Sequence, residues 1–561
     1  MVSRIEISQE SQEVNDETIR NRIEIVTQDL TDLNNFYKVG ISEERISRFR
    51  EYYNEQLLYL ENMIFDGLAQ QGRVDYLLLK GHLKRLQQQL ELDVIQDKMT
   101  EAVLPFATAL VTLIVDRQHA KSMEPKQIAQ AVHDIYNQVL VTQTKVEKSE
   151  ISLNKTTAYR AANTLDELCS YLREWYEFYN GYDPMFSWWL SDPYAKVQRQ
   201  LEAYAVVVRE KLVGIKPGDE DAIVGQPIGH DGLLMELEAE KINYTPEELI
   251  CIGEQEYIWV ETELKKVSRR MGFSDDWRKA LEIVREDYVE VGQQTQIVRE
   301  FSSEAINFVK NHDLVTVPRV AEEAIPIYMM APARQKLSPF FLGGKSIIVS
   351  YPTDTMGHAD KLMSLRGNNI HYSRATVFHE LIPGHHLQWY MNNRYRPYRR
   401  IFHTPFWTEG WSLYWEFILW DDERFPKTDY NRVGMLFWRL HRCVRIIFSI
   451  KFHLGQINAQ ECVDMLVERG GHERATAEGE VRRSLNGTYS PLYQAGYMLG
   501  ALQWYSLRQE LVVSGKIPEK RFHDLILHNN SMPVEFARAI LMNKPLKPDY
   551  KASWKFYNSH R

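Results

Sequence analysis

The chain is poor in cysteine. Four residues among 561, Cys169, Cys251, Cys443 and Cys462, lie far apart. No C-x-x-C pair is present, which excludes a disulfide frame, and the thiols are expected to be free and buried in a reducing compartment. Long apolar runs are missing too. The longest, from Ala102 to Val115, is interrupted by Pro105. It falls short of the about 20 residues that span a bilayer, so no integral membrane segment is expected. The opening residues Met1-Val2-Ser3-Arg4-Ile5-Glu6 contain no apolar stretch, and no signal peptide is visible. Basic blocks are absent and the formal net charge is −9, which speaks against nucleic acid as a partner. No self-similar period of about 30–45 residues points to a solenoid.

What the chain has in plenty is helical periodicity. At 44% hydrophobic it can bury a large core, and its length suits two or more domains or one large two-lobed unit. Residues 1 to 30 are polar and are expected to be frayed. From Ser42 to Tyr204 apolar residues recur every three or four positions, as at Leu79, Leu83, Leu86 and Leu90, and predict long amphipathic helices of a bundle. Tyr171 to Tyr194 is rich in aromatics, including Trp175, Phe186, Trp188 and Trp189. Packing between helices is favoured there over a substrate wall, with breaks expected at Asp183-Pro184 and Asp192-Pro193. Val213 to Gly232 carries repeated glycine and proline and reads as a linker. It divides an N-terminal helical region, 1–215, from a catalytic region, 216–561. Beyond it, Thr245-Pro246-Glu247-Glu248 predicts a capping box. Phe340 to Pro352 holds the clearest strand signal, over Ser346-Ile347-Ile348-Val349-Ser350-Tyr351.

The chemistry concentrates between Arg374 and Glu416. His379-Glu380 follows an apolar run and precedes Pro383-Gly384-His385-His386. The familiar zinc-hydrolase helix sets two histidines four residues apart, one turn, with a Glu after the first. Here the later histidines follow His379 by six and seven residues. On a regular helix, six turns the second ring off the face, and seven sets it roughly 10 Å further along the axis. Pro383 removes a backbone hydrogen bond and Gly384 accepts unusual angles, so a kink is expected that swings His385, or His386, back toward His379. Glu409, opening the segment Glu409-Gly410-Trp411-Ser412-Leu413-Tyr414-Trp415-Glu416, is the candidate third ligand. Glu416, two turns on, suits a partner that orients a ligand histidine. Glu380 is the candidate general base.

These residues carry a resemblance. His379-Glu380-x-x-Pro383-Gly384-His385-His386-Leu387-Gln388, with Glu409-Gly410-Trp411-x-x-Tyr414-x-Glu416, is similar to the bacterial family called domain of unknown function 885. That family resembles in turn the carboxypeptidase Taq and thimet oligopeptidase (neurolysin-like) metallopeptidases. The likeness spans roughly residues 220 to 510. It implies a mainly α, multi-helix, two-lobed metallopeptidase fold with a small antiparallel sheet beside the active-site cleft, whose edge can hold an extended peptide. It implies a Zn2+ cofactor held by His379, His385 and Glu409, although two residues are inserted between the histidines relative to those relatives. Members of the family are often exported, so the expected location is cytoplasmic, or periplasmic once a leader has been removed ahead of this numbering.

The resemblance extends to Glu480-Val481-x-Arg483 and Pro491-x-x-Gln494-Ala495-x-Tyr497-x-x-Gly500. In the related peptidases a tyrosine on this side of the cleft donates to the tetrahedral oxyanion, which makes Tyr497 the candidate and Tyr493 the second choice. Arg374 either clamps a substrate carboxylate or satisfies a buried acid. The basic aromatic stretch Arg394 to Arg400 reads as a solvated loop. The expected function is therefore a zinc-dependent metallopeptidase acting on peptides, of carboxypeptidase or oligopeptidase type. The alternatives are a zinc hydrolase of other amides or esters, or a helical binding protein with a structural or lost metal. Residue chemistry leaves the oligomeric state open.

Overall fold

The computed structural model of the protein describes residues 15–216, 219, 222–335, 341 and 343–557. It is mainly helical, and its contacts group into two compact units. One comprises Met1–Ile25, Asn62–His82 and Pro227–Arg561, the other Val26–Glu61 and Leu83–Gln226.

The second unit is built as the periodicity predicts. Helices Glu43–Glu61, Ala107–Gln118, Pro125–Glu147, Lys155–Tyr179 and Pro184–Val208 turn one apolar stripe each inward. Leu110, Val132, Leu165, Trp175, Phe186 and Tyr204 meet in their core. The break expected at Asp183-Pro184 is present: one helix ends at Tyr179 and the next starts at Pro184, with Asp183 as its cap. The Asp183 carboxylate accepts from the N–H groups of Met185 and Phe186, with Pro184 in the first turn. That helix runs on through Pro193 to Val208, so the break expected at Asp192-Pro193 is not there. Of the aromatics, Trp175 and Phe186 are core, while Tyr182 and Trp188 are exposed.

The first unit contains the candidate site. Its helices include α1 (Ile370–Glu380), α2 (His385–Asn392), α3 (Pro405–Asp421), α4 (Asp429–His453), α5 (Arg474–Leu485) and α6 (Tyr493–Arg508). The capping box at Thr245 is formed: its hydroxyl accepts from Glu248 N–H at 3.2 Å, and Glu248 accepts from Thr245 N–H at 2.9 Å. Helices α3 and α6 touch backbone to backbone. A Cβ on Gly410 would fall 2.6 Å from the Gly500 Cα, so both positions must lack a side chain.

Several expectations are corrected. The polar N-terminus is not frayed from Asn15 on: a helix spans Asp16–Phe36, with Ile19 and Ile23 fully buried. Residues 1–14 lie outside the described residues. The sheet is parallel, not antiparallel. β1 (Ile327–Met329) pairs with β2 (Ile347–Val349), Ile327 opposite Ile347. The connection between them is far longer than a hairpin turn and holds the short helix Pro332–Gln335, which is how parallel strands are joined. Of the predicted strand segment, Phe340 and Leu342 lie outside the described residues, as do Pro217 and Gly218 of the predicted linker. Cys251 is exposed rather than buried. The Arg394 to Arg400 stretch is not a solvated loop throughout. Arg399 is fully buried and donates to Asp75 at 2.6 Å, to Gln71 at 2.8 Å and to the Asn529 carbonyl at 2.9 Å.

Candidate metal centre

The helix that carries His379 stops at Glu380. Leu381 leaves helical angles (φ −110°, ψ −115°), Ile382–Pro383 is a cis peptide, and a second helix starts at His385. Gly384 packs so tightly into the break that a Cβ there would lie 1.8 Å from the His379 carbonyl oxygen. The indole N–H of Trp411 donates to the Pro383 carbonyl at 2.9 Å, which ties the break to α3. The consequence is the one the spacing demands: α1 and α2 bring the rings of His379 and His385 to 4.8 Å between centroids, nearly perpendicular.

Both rings face Glu409 on α3. Its Oε2 lies 2.9 Å from His385 Nε2 and 3.5 Å from His379 Nε2. A tetrahedral ion with bonds of about 2.0–2.2 Å sets its ligand atoms about 3.3–3.6 Å apart. The ligand atoms of the three residues fall within 4.8 Å of one another, and the two distances to Glu409 bracket that spacing, so the donor set fits a zinc-sized ion. Behind His379, Glu416 accepts from Nδ1 at 2.8 Å, which fixes the tautomer and turns Nε2 toward the centre. His386 faces elsewhere. Its ring nitrogens lie 3.0 Å from the carbonyls of Lys345 and Ala321. Tyr493 donates its hydroxyl proton to the other oxygen of Glu409 and holds that carboxylate in place.

The electrostatics follow from burial. Burial resists the charge of Glu409, yet His385 and His379 outweigh it and hold the carboxyl well below the usual range. Burial likewise resists protonation of His379, but Glu409 and Glu416 push it up to about 9. Glu380 is raised, first by burial and against the pull of His385 and His379, which suits a group that takes and returns a proton. Its neighbour is the backbone of Gly343: a Cβ there would lie 2.1 Å from Glu380 Oε2. The strand β2 holds this loop in place, since Ile347 and Val349 pack with Val377 of α1 and with Leu381.

A pocket opens beside the histidine. Phe341, Thr376, His379, Glu380, Glu416, Trp438, Arg442, Arg445, Arg483 and Tyr497 line it. The Tyr497 ring lies near-parallel to His379, 6.1 Å between centroids. Arg442 and Arg445 sit over its ring at 4.7 and 4.6 Å. Arg483 reaches the pocket and donates to Glu480 at 2.6 Å. Arg374 does not reach it. Its guanidinium is committed to the half-buried Glu304 at 2.8 Å and to the Pro426 carbonyl at 3.1 Å, so it pairs with an acid of the fold rather than facing the pocket. Arg442 and Arg445 were not among the expected site residues. Their signal was present in part, since Arg442 and Arg445 stand three residues apart in a buried helix and so share one face.

The chain belongs to the family described as bacterial protein of unknown function (DUF885), whose model matches residues 37–541. Among solved structures it is similar to a "putative lipoprotein of unknown function" from Shewanella oneidensis, 16% identical, TM-score 0.67, covering 94% of this chain and all of the other. A second, the "putative lipoprotein" from Colwellia psychrerythraea, is 14% identical with TM-score 0.60 and covers 94% of this chain and 98% of its own. At such identities the likeness is one of fold. No curated protein matches the sequence significantly.

Proposed function

We propose that the chain is a zinc-dependent hydrolase that cleaves peptide bonds, with a neurolysin- and carboxypeptidase Taq-like two-lobed architecture. The observation that carries this reading is the convergence of His379 and His385 on Glu409, with Glu380 one residue from a ligand and beside an open pocket. A bound divalent ion would polarise the scissile carbonyl and make a coordinated water acidic near neutral pH. His379, His385 and Glu409 would hold it, and Glu416 and Tyr493 fix two of these ligands in advance of binding.

The remaining steps belong to the side chains. Glu380 takes the proton of the attacking water and passes it to the leaving nitrogen, and its raised pKa keeps both transfers close to balance. Tyr497 borders the same space and supplies a donor for the charge that develops on the carbonyl oxygen. The strand Ile347–Val349, which packs against Val377 and Leu381, offers an edge that can hold an extended chain beside the site. The lipoprotein names of its structural relatives favour an exported location for this chain as well. No helix among the described residues is long and apolar enough to cross a membrane.

The test is elemental analysis of purified protein together with the variant Glu380→Gln. About one zinc per chain, turnover of a peptide panel, and loss of that turnover in Glu380→Gln with zinc retained are expected. Turnover restricted to simple esters would end the peptidase reading. Full activity in Glu380→Gln would remove the proposed base.

A further inference from the structure

Buried arginines in this protein normally have acids of their own. Arg399 is paired with Asp75, Arg439 with Glu256 and Arg374 with Glu304. The arginines of the pocket beside His379 depart from this pattern. Arg445 and Arg483 share one carboxylate, Glu480. Arg442, buried to 7% exposure, makes no ion pair within 4.0 Å among the described residues. Buried nitrogens of all three lack a hydrogen-bond partner, Nε of Arg442, Nε and Nη1 of Arg445, and Nε of Arg483; Arg439 Nε shares this, so what sets the three apart is that they have one carboxylate between them. An unmatched buried donor costs about 1–3 kcal/mol, and more when charged, so a cluster of them calls for a ligand.

The charges agree. With a divalent ion on His379, His385 and Glu409, the positive charges, counting Arg442, Arg445 and Arg483, exceed those of Glu380, Glu409, Glu416 and Glu480 by one. Three guanidiniums in one concave space match a planar carboxylate in shape as well.

We infer that Arg442, Arg445 and Arg483 form a subsite that binds a carboxylate of the substrate next to the scissile bond. This deepens the hydrolase reading and rests on it. A free C-terminal carboxylate placed there makes the protein an enzyme that trims chain ends. The carboxylate of an acidic side chain would make it selective for such residues just after the cut.

The test measures binding, not turnover. Zinc-loaded Glu380→Gln protein is titrated calorimetrically with three peptides: Gly-Phe-Ala with a free C-terminus, its C-terminal amide, and the amide Gly-Phe-Asp-NH2. At least one acid-bearing peptide is expected to bind about 10- to 100-fold tighter than the plain amide, the worth of hydrogen bonds to a charged group. Which one it is distinguishes the two carboxylate sources. Adding Arg442→Gln should erase the preference, and Arg442→Lys should keep part of it. Equal binding of all three, no binding of any, or a preference untouched by a folded Arg442→Gln overturns the subsite. Should Arg442→Gln fail to fold, the acid-to-amide ratio of the Glu380→Gln protein still decides. Zinc-dependent hydrolysis without acid preference sinks the subsite alone. Acid preference in a protein that never turns over sinks the hydrolase reading alone.

Discussion

Two glycines flank the candidate centre, and replacing each by alanine should do different damage. At Gly384 a Cβ would lie 1.8 Å from the His379 carbonyl oxygen, 2.5 Å from its carbon and 2.7 Å from the Phe378 oxygen. All three are backbone atoms, so no side chain can swing aside. Ordinary contacts of this kind are about 3.3 Å, and relief needs the two helix ends to part by more than about 1 Å. Metal sites tolerate about 0.2 Å, so His385 would leave the reach of an ion held by His379 and Glu409. Overpacking adds about 1–3 kcal/mol of destabilisation. At Gly343 the new Cβ would meet first the atoms of Glu380, 2.1 Å from Oε2 and 2.8 Å from Cα. Zinc per chain and the zinc-induced rise in Tm would be compared for both variants. Gly384→Ala should lose at least about tenfold in zinc affinity and most of the Tm rise. Gly343→Ala should keep both while turnover falls. Wild-type zinc affinity in a folded Gly384→Ala would refute the claim that this glycine sets the centre.

Other substitutions give sharp outcomes. Glu416→Gln removes the carboxylate partner of His379 and should weaken zinc binding about 10- to 100-fold by chelator competition, with the fold intact. Arg399→Met leaves Asp75 buried without its cation, and urea unfolding should show a loss of about 3–5 kcal/mol. Burial, then the charge of Arg285, lowers His472 to about 3, so the folded protein keeps it neutral while the unfolded chain protonates it near 6.5. Its contribution to stability is complete above pH 6.5 and is lost as the pH falls toward 3, at most about 5 kcal/mol. Unfolding midpoints at pH 7, 5 and 4 should therefore fall less steeply in His472→Asn than in the parent.

Most local features were legible in the sequence, the helix that runs on through Pro193 being an exception, and distant partnerships were not. The break at Pro383-Gly384 could be read because both residues act on their own backbone. The Thr245 cap likewise involves residues three apart. The nearness of Glu409 to His379 and His385 could be anticipated from one helix pair and a resemblance. By contrast, Arg374 looked equally fit for substrate or for an acid, and only the fold brings Glu304 to it. Arg399 looked solvated because its partner lies 324 residues earlier. The strand Ile347–Val349 was visible, but its direction relative to Ile327–Met329 depends on the path between them. The unmatched donors of Arg442 and Arg445 needed coordinates, although their three-residue spacing hinted at a shared face.

The Arg399–Asp75 pair bears on how the molecule is made. A ribosome releases Asp75 long before Arg399 exists, so the early segment Asn62–His82 must wait, its acid unanswered, for the later one to emerge. A fragment starting at Pro227 would place a guanidinium in an interior that has lost its anion. The region bearing the metal residues is thus one object in space but not one continuous stretch of translation, and attempts to express it alone should yield aggregated chain.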